Sequence, residues 1–239
     1  MKNCIVSIIT VTYNNKIGLS NTINSVNSQS FDACEHIIVD GKSSDGSLEL
    51  LEGIRSDKKF LFVSEVDNGI FHAMNKGVEL ASGNWLLFLN AGDVFPTSST
   101  LAKLFMTGTL DDTSLDLIYG DKLDSEGRIV KAKNDLSCLY YGEMPACHQS
   151  IFFRKNISYD ESFKIFGDID LMARIYLSQP SYRYVPMPIS VFEGGGVSSK
   201  VSWTKRKEKF RSLLKNFGVY CVLKNYILNP CFYRKILFK

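Results

Sequence analysis

The sequence predicts an α/β protein with a Rossmann-like, mostly parallel sheet and flanking helices. Three observations lead there. Short apolar, β-branched runs such as Ile5–Val11 have the composition of strands buried on both faces. Each run is followed by a polar loop and then by a segment of helical periodicity, three times in the first hundred residues, as in right-handed βαβ crossovers. Polar residues cluster just after each run, where the carboxyl ends of parallel strands would lie.

The elements follow in order. Ile5–Val11 is the first strand and ends in the polar Thr12-Tyr13-Asn14-Asn15; Ile17, Thr22 and Val26 then mark a helix. His36–Val39 is the second strand and ends at Asp40. Ser43, Ser44 and Asp45 are N-cap residue types for a helix through Leu48, Leu51 and Ile54. Phe60–Val63 is a third strand, Ile70–Leu80 a helix closed by Gly83, and Trp85–Leu89 a fourth strand ending in Asn90-Ala91-Gly92-Asp93. The second half is less regular. Leu115–Tyr119, Ile129–Ala132, Ser150–Phe153 and Tyr182–Val185 are strand candidates, Asp168–Leu177 a helix, and Gly194–Gly196 a flexible loop.

At 239 residues the chain is long enough for one large core. Its 45% hydrophobic and 22% charged residues are those of a globular protein, and no apolar stretch suggests a spanning helix. The N-terminus reads as a first strand and not as a leader, because its short apolar run passes directly into polar residues. Six cysteines without a C-x-x-C pair read as free thiols of a reducing cytosol. The net charge of +3 hides an asymmetry: residues 1–199 hold 17 Lys+Arg against 24 Asp+Glu, whereas residues 200–239 hold 11 against one. Those last forty residues are expected to form a basic, amphipathic helical tail with an anionic partner. Membrane headgroups suit its interspersed aromatics, and no nucleic-acid motif accompanies the charge.

The glycine-rich phosphate loops of dinucleotide dehydrogenases and P-loop NTPases are both missing. What the strand ends offer instead is carboxylates and amides. A pyrophosphate cannot lie against bare carboxylates, so a divalent cation is expected between them, and oxygen ligands favour Mg²⁺ or Mn²⁺.

TVTYNN, IIVDGKSSDGS and SEVDNGIFHAMNKGVELASGNWLLFLNAGD, followed by CHQSIFFRK, FGDIDLMARI and FEGGGVSS, together resemble the family 2 glycosyltransferases of GT-A fold. The flavour is that of bacterial O-antigen and exopolysaccharide enzymes. The resemblance runs through most of residues 1–199 and implies a nucleotide-sugar half (1–95) and an acceptor half (96–199), with 200–239 as the tail. By it, Thr12, Tyr13 and Asn14 line the nucleotide pocket and Asp40 bonds the base or ribose. Asp67, Asn75 and Lys76 bound the donor, with Lys76 near the phosphates. Asn90 and Asp93 stand in the D-x-D position that holds Mn²⁺ or Mg²⁺, where only Asp93 is acidic. His148 and Gln149 fall on the acceptor side, Asp168 is the general base, and His72 is given no role. The implied reaction is inverting transfer of a hexose, from a UDP-sugar in first place, to a saccharide acceptor carried on a polyprenyl diphosphate at the inner face of the cell membrane.

Each residue also has a plainer reading. Asp40 and Asp67 are ordinary strand-end turn residues, Asp93 can simply close a strand, and Asp168 can cap a helix. Lys76 can be a solvated lysine and His148 a core histidine. Two other classes stay open: a nucleotidyltransferase, which would show a glycine-rich basic loop where TYNN stands, and an inactive glycosyltransferase-like binding protein.

Overall fold

The computed structural model describes residues 4–54, 60–192 and 203–228. The chain runs β1 (Val6–Thr12), α1 (Lys16–Asn27), β2 (Cys34–Asp40), α2 (Ser47–Ile54), β3 (Phe60–Ser64), α3 (Ile70–Leu80), β4 (Trp85–Phe88), α4 (Thr100–Met106) and β5 (Leu117–Leu123). It continues through β6 (Ile129–Val130), two short 3₁₀ turns at Ser137–Tyr141 and His148–Ser150, β7 (Ile151–Arg154), α5 (Gly167–Leu177), β8 (Tyr182–Val191) and α6 (Trp203–Leu228).

One sheet carries all the strands, in the order β3-β2-β1-β4-β7-β5-β6, with β8 paired to β5. β3, β2, β1 and β4 are parallel, as the alternating pattern predicts. β7 then enters antiparallel between β4 and β5. Inversion has a positional result: the residues just before β7, not those after it, lie at the carboxyl edge of β4. The central strands are buried on both faces because alternate residues serve different layers. Ile9, Val11, Ile37, Val39, Leu86 and Phe88 pack with Phe71, Met74, Leu171 and Met172 of α3 and α5. Val6, Ile8, Trp85 and Leu87 pack with Leu101 and Leu104 of α4, and Ile38 with Leu19, Ile23 and Leu51 of α1 and α2. At the far edge Glu35 collects Ser7 Oγ, Ser82 N and Gly83 N, fixing the starts of β1, β2 and β4 together.

Several boundaries differ from those the pattern suggests. α1 buries Leu19, Thr22, Ile23 and Val26, whereas Ile17 is exposed. β5 continues past Tyr119 to Leu123, through a glycine and polar residues that carry no apolar signal. β8 does not stop at Val185 but runs through Pro186 and Pro188 to Val191; register shifts around Asp121 absorb the prolines, which cannot donate to a ladder. α4 had no forecast. The Gly194–Gly196 loop and the tail beyond residue 228 lie outside the described residues.

The expected tail is a helix docked on the domain over the stretch before Gly218, where φ is 73° and the helix kinks. Glu208, only 8% exposed, accepts the backbone N–H groups of Lys164, Ile165 and Phe166 just before α5. Lys215 reaches Asp160 and Asp170, Asn216 bonds Asp170, and Arg211 lies over the Phe163 ring. Leu213 is buried and Phe217 packs on Tyr140 and Tyr176. On the opposite side Trp203, Phe210 and Leu214, spaced to share one stripe, face outward. No helix of the described residues is long and apolar enough to cross a membrane.

Removing the Glu208 carboxylate strands three amides at once, and an orphaned buried donor costs about 1–3 kcal/mol. Glu208→Ala should therefore lower unfolding free energy by about 3 kcal/mol and Glu208→Gln by about 1 kcal/mol, read from urea denaturation of the full chain. A loss below about 0.5 kcal/mol for Glu208→Ala would show that α6 does not hold this loop.

Candidate active site at the carboxyl edge of the sheet

The loops after β1, β2 and β4 are stitched by side chains. Asn14 adopts the left-handed region (φ 49°), which asparagine tolerates. Its N–H donates to Ser43 Oγ and its Oδ1 accepts Ser44 N–H, while Asp45 accepts Lys16 N–H. Asn15 caps α1 through Gly18 N–H and donates to Ala91 O in the loop after β4. The buried Thr22 hydroxyl lies 2.8 Å from Asp93 O and accepts the Gly92 N–H at 3.0 Å. These bonds gather Thr12, Tyr13, Asn14, Asn90 and Asp93 at one edge. Tyr13 is exposed there, and a side chain at Gly41 would meet its ring and Asp67 Oδ2, so all three line one recess.

Several expected contact residues are already engaged within the protein. Asp40 is fully buried, with its carboxylate taken by Ser43 N–H, Ser43 Oγ and Ser64 Oγ. It holds the recess together from below. The Lys76 ammonium is 2.7 Å from both Glu65 and Asp67 and 3.4 Å from Val66 O. Burial opposes its charge, but these partners outweigh burial and raise its pKa. Lys76 thus clasps the loop after β3. His72 Nδ1 lies 3.4 Å from Asp67 yet accepts Asn68 N–H, so it has no proton there for an ion pair. Asn75 is used at both ends: it bonds the backbone N–H and O of Tyr159, and Glu161. His148 is a core histidine, packed among Phe88, Phe153 and Tyr159 with Nε2 on the Tyr159 hydroxyl. Burial depresses its pKa to about 4, so it is neutral.

The rest of the edge is built differently. Among the described residues two buried acceptors, Thr12 Oγ1 and Asn90 Oδ1, have no hydrogen-bond partner. Asp93 is 5% exposed on the turn after β4. Opposite stands Asp168 in the first turn of α5, whose carboxylate accepts the N–H of the adjacent Ile169. Burial among protein atoms raises its pKa to about 6, against the pull of backbone amides and Lys205. Asp170 is a different case, fully buried and held by Arg174, Lys215 and Asn216. Asp168 is therefore the carboxylate that keeps room for another partner.

Cys147 ties the two halves together. It precedes the 3₁₀ turn that leads into the inverted β7 and donates its S–H to Gln149 Oε1. Burial pushes its thiol up to about 11; Lys122 pulls against that, while Asp93 and Asp168 add to it. One sulfur thus lies within electrostatic reach of the carboxylates of both halves. The base of α5 is set by a close approach, since any side chain at Gly167 would come within 2.6 Å of the Phe71 ring. Among the described residues no three His, Cys, Asp or Glu side chains converge as a metal cage. A cation here has a hard-oxygen set of Asp93 and the unpartnered Asn90 Oδ1, which suits Mg²⁺ or Mn²⁺ only if the ligand supplies further oxygens.

Sequence reasoning passed over Lys122, Cys147, Tyr159 and Thr22. For Lys122 the available signal was its place at a strand end, hidden because the apolar run ends at Tyr119.

Residues 7–155 match the family model for Glycosyl transferase family 2. A PGL/p-HBAD biosynthesis glycosyltransferase of Mycobacterium bovis is 30% identical over 212 residues, 82% of this chain and 79% of the relative. The S. aureus TarS fragment 1–349 solved with UDP-GlcNAc superposes with a TM-score of 0.72 at 19% identity, covering 89% of this chain. This chain spans 66% of that fragment. The mannosyltransferase PcManGT of Pyrobaculum calidifontis, solved with GDP-Man and Mn²⁺, gives 0.64 at 16% identity over 94% of this chain and 72% of its own.

Proposed function

This chain belongs to glycosyl transferase family 2, and on that premise we propose that it transfers a hexose, with inversion, from a UDP-linked donor to a saccharide hydroxyl. The observation that carries the reading is Asp168 in the first turn of α5: a carboxylate with a pKa raised by burial to about 6, bonded among the described residues by backbone amides. The acceptor hydroxyl gives its proton to Asp168 as its oxygen attacks the anomeric carbon. The bond from that carbon to the diphosphate oxygen breaks on the opposite face, so configuration inverts. Tyr13 and the Gly41–Asp67 recess receive the nucleotide, and Thr12 Oγ1 accepts a donor from it. Asp93 with Asn90 Oδ1 would hold Mn²⁺ or Mg²⁺, which supplies charge neutralisation to the departing diphosphate.

The acceptor in this reading is a lipid-linked saccharide of a surface polysaccharide, such as O-antigen, met at the inner face of the membrane. Support comes from α6, whose Trp203, Phe210 and Leu214 stripe faces outward in a segment rich in cations. Because α6 also docks on the domain, truncation would disturb the fold, and point changes are the cleaner probe.

Asp168 acts as a base only when ionised, so kcat should rise about tenfold per pH unit up to about 6 and then level off. Asp168→Asn should reduce kcat by about 10²-fold or more while leaving calorimetric UDP binding unchanged. Normal turnover by this variant, or a flat profile down to pH 4.5, would remove Asp168 from the chemistry. In the same UDP-release assay chelator should abolish activity and Mn²⁺ or Mg²⁺ restore it; full turnover in excess chelator contradicts the cation. Finally, the double variant Trp203→Glu, Phe210→Glu should cosediment less with anionic vesicles than the unaltered chain, and salt should weaken both. Equal partition of the two proteins would dismiss the membrane role.

A further inference from the structure

Lys122 is a cation that neither the motifs nor the resemblance singled out. It stands near the carboxyl end of β5, opposite Val130 of β6 and Ser190 of β8, where the β5–β8 register shifts. Its ammonium lies 4.6 Å from the centre of the Phe192 ring, and no hydrogen bond or ion pair to it is found among the described residues. That isolation contrasts with Lys76, whose ammonium is shared by two carboxylates and a carbonyl.

The backbone fixes Lys122 next to the candidate site. Phe192 N–H donates to Leu123 O, and Val191 exchanges both backbone hydrogen bonds with Val94, the neighbour of Asp93. The end of β8 therefore bridges the strand that carries Lys122 to the turn that carries Asp93. Lys122 also acts electrostatically on the Cys147 thiol, opposing the rise that burial, Asp93 and Asp168 give it. A half-buried ammonium held over an aromatic face, with no anionic partner among the described residues, on a strand bridged to the turn that carries Asp93, is built to meet an anion brought by a ligand.

We propose that Lys122 binds a diphosphate ester at this edge, donating to one of its non-bridging oxygens. The inference rests on the glycosyltransferase reading only for who carries the diphosphate, the nucleotide donor or a prenyl-linked acceptor. The donor is the first candidate, because Asp93 lies beside it. Lys122 then shares the neutralisation of the leaving diphosphate with the cation at Asp93, a position that Lys76 cannot fill while Glu65 and Asp67 hold it.

Calorimetric titration of the full chain with UDP, uridine, inorganic pyrophosphate and farnesyl diphosphate, with and without Mn²⁺, tests this. The proteins compared are the unaltered chain, Lys122→Met, which keeps a stem over Phe192, and Lys122→Arg, which keeps the charge. Lys122→Met should bind UDP and pyrophosphate about tenfold more weakly and uridine equally well, with Lys122→Arg close to the unaltered chain. A loss confined to farnesyl diphosphate and pyrophosphate keeps the site and moves the diphosphate to the acceptor. If the unaltered chain fails to bind UDP but its pyrophosphate binding still depends on Lys122, the donor assignment falls and the anion site stands. Equal binding of every diphosphate by Lys122→Met, with an unchanged thermal unfolding profile, overturns the proposal.

Discussion

The turn that carries Asp93 depends on the hydroxyl of Thr22. Strands β1 and β4 are hydrogen-bonded neighbours, and the pairing continues past β4 only to Ala91 N–H on Val11 O, so the turn beyond it needs another anchor. From the middle of α1 the Thr22 hydroxyl sits within 2.8 Å of Asp93 O and accepts the Gly92 N–H. It fixes the turn by its backbone atoms. Asn15, from the first turn of the same helix, adds a bond to Ala91 O. The site is rigid where its loops are bonded and open where its chemistry would occur.

The same division of labour runs through the other polar residues. Asp40, Asn75, Lys76 and His148 are all at or near the edge, and all are bound up with protein partners. Asp93, Asp168 and Asn90 are held in position largely through backbone atoms and the elements that carry them. Buried polar groups that are satisfied stiffen a scaffold, whereas unsatisfied ones are costly and persist where a ligand completes them. Thr12 Oγ1 and Asn90 Oδ1 belong to the second kind.

How much of this was legible follows from the kind of signal involved. The parallel half was readable because strands buried on both faces keep short apolar, β-branched runs, as Ile8-Ile9, Ile37–Val39 and Trp85–Phe88 do within β1, β2 and β4. Ile70–Leu80 was readable by its periodicity. The ends of β5 and β8 were not, because a strand leaving the core turns polar and β8 carries prolines that normally mark termination. Among site residues, type and position located the strand-end acids but not their duties. A sequence gives no warning that Asp40 would be met by Ser64 twenty-four residues later, or that Lys76 would fold back on Glu65 and Asp67. Nor does it separate Asp168 from Asp170, a distinction made by Lys215 and Asn216 in the C-terminal helix.

The bridge between Val94 and Val191 bears on how the molecule is made. Nearly a hundred residues separate its two sides, and β8 must pair along the whole of β5 before the bridge can close. Contacts of such long range are entropically costly to close and slow to form, and this one spans even more chain than the β1–β4 pairing, in which Val6 faces Trp85. During synthesis β1 to β4 can pair while the turn carrying Asp93 still lacks its tether. Competence is thereby coupled to completion: a nascent or truncated chain that ends before residue 191 has the sheet but not the finished edge.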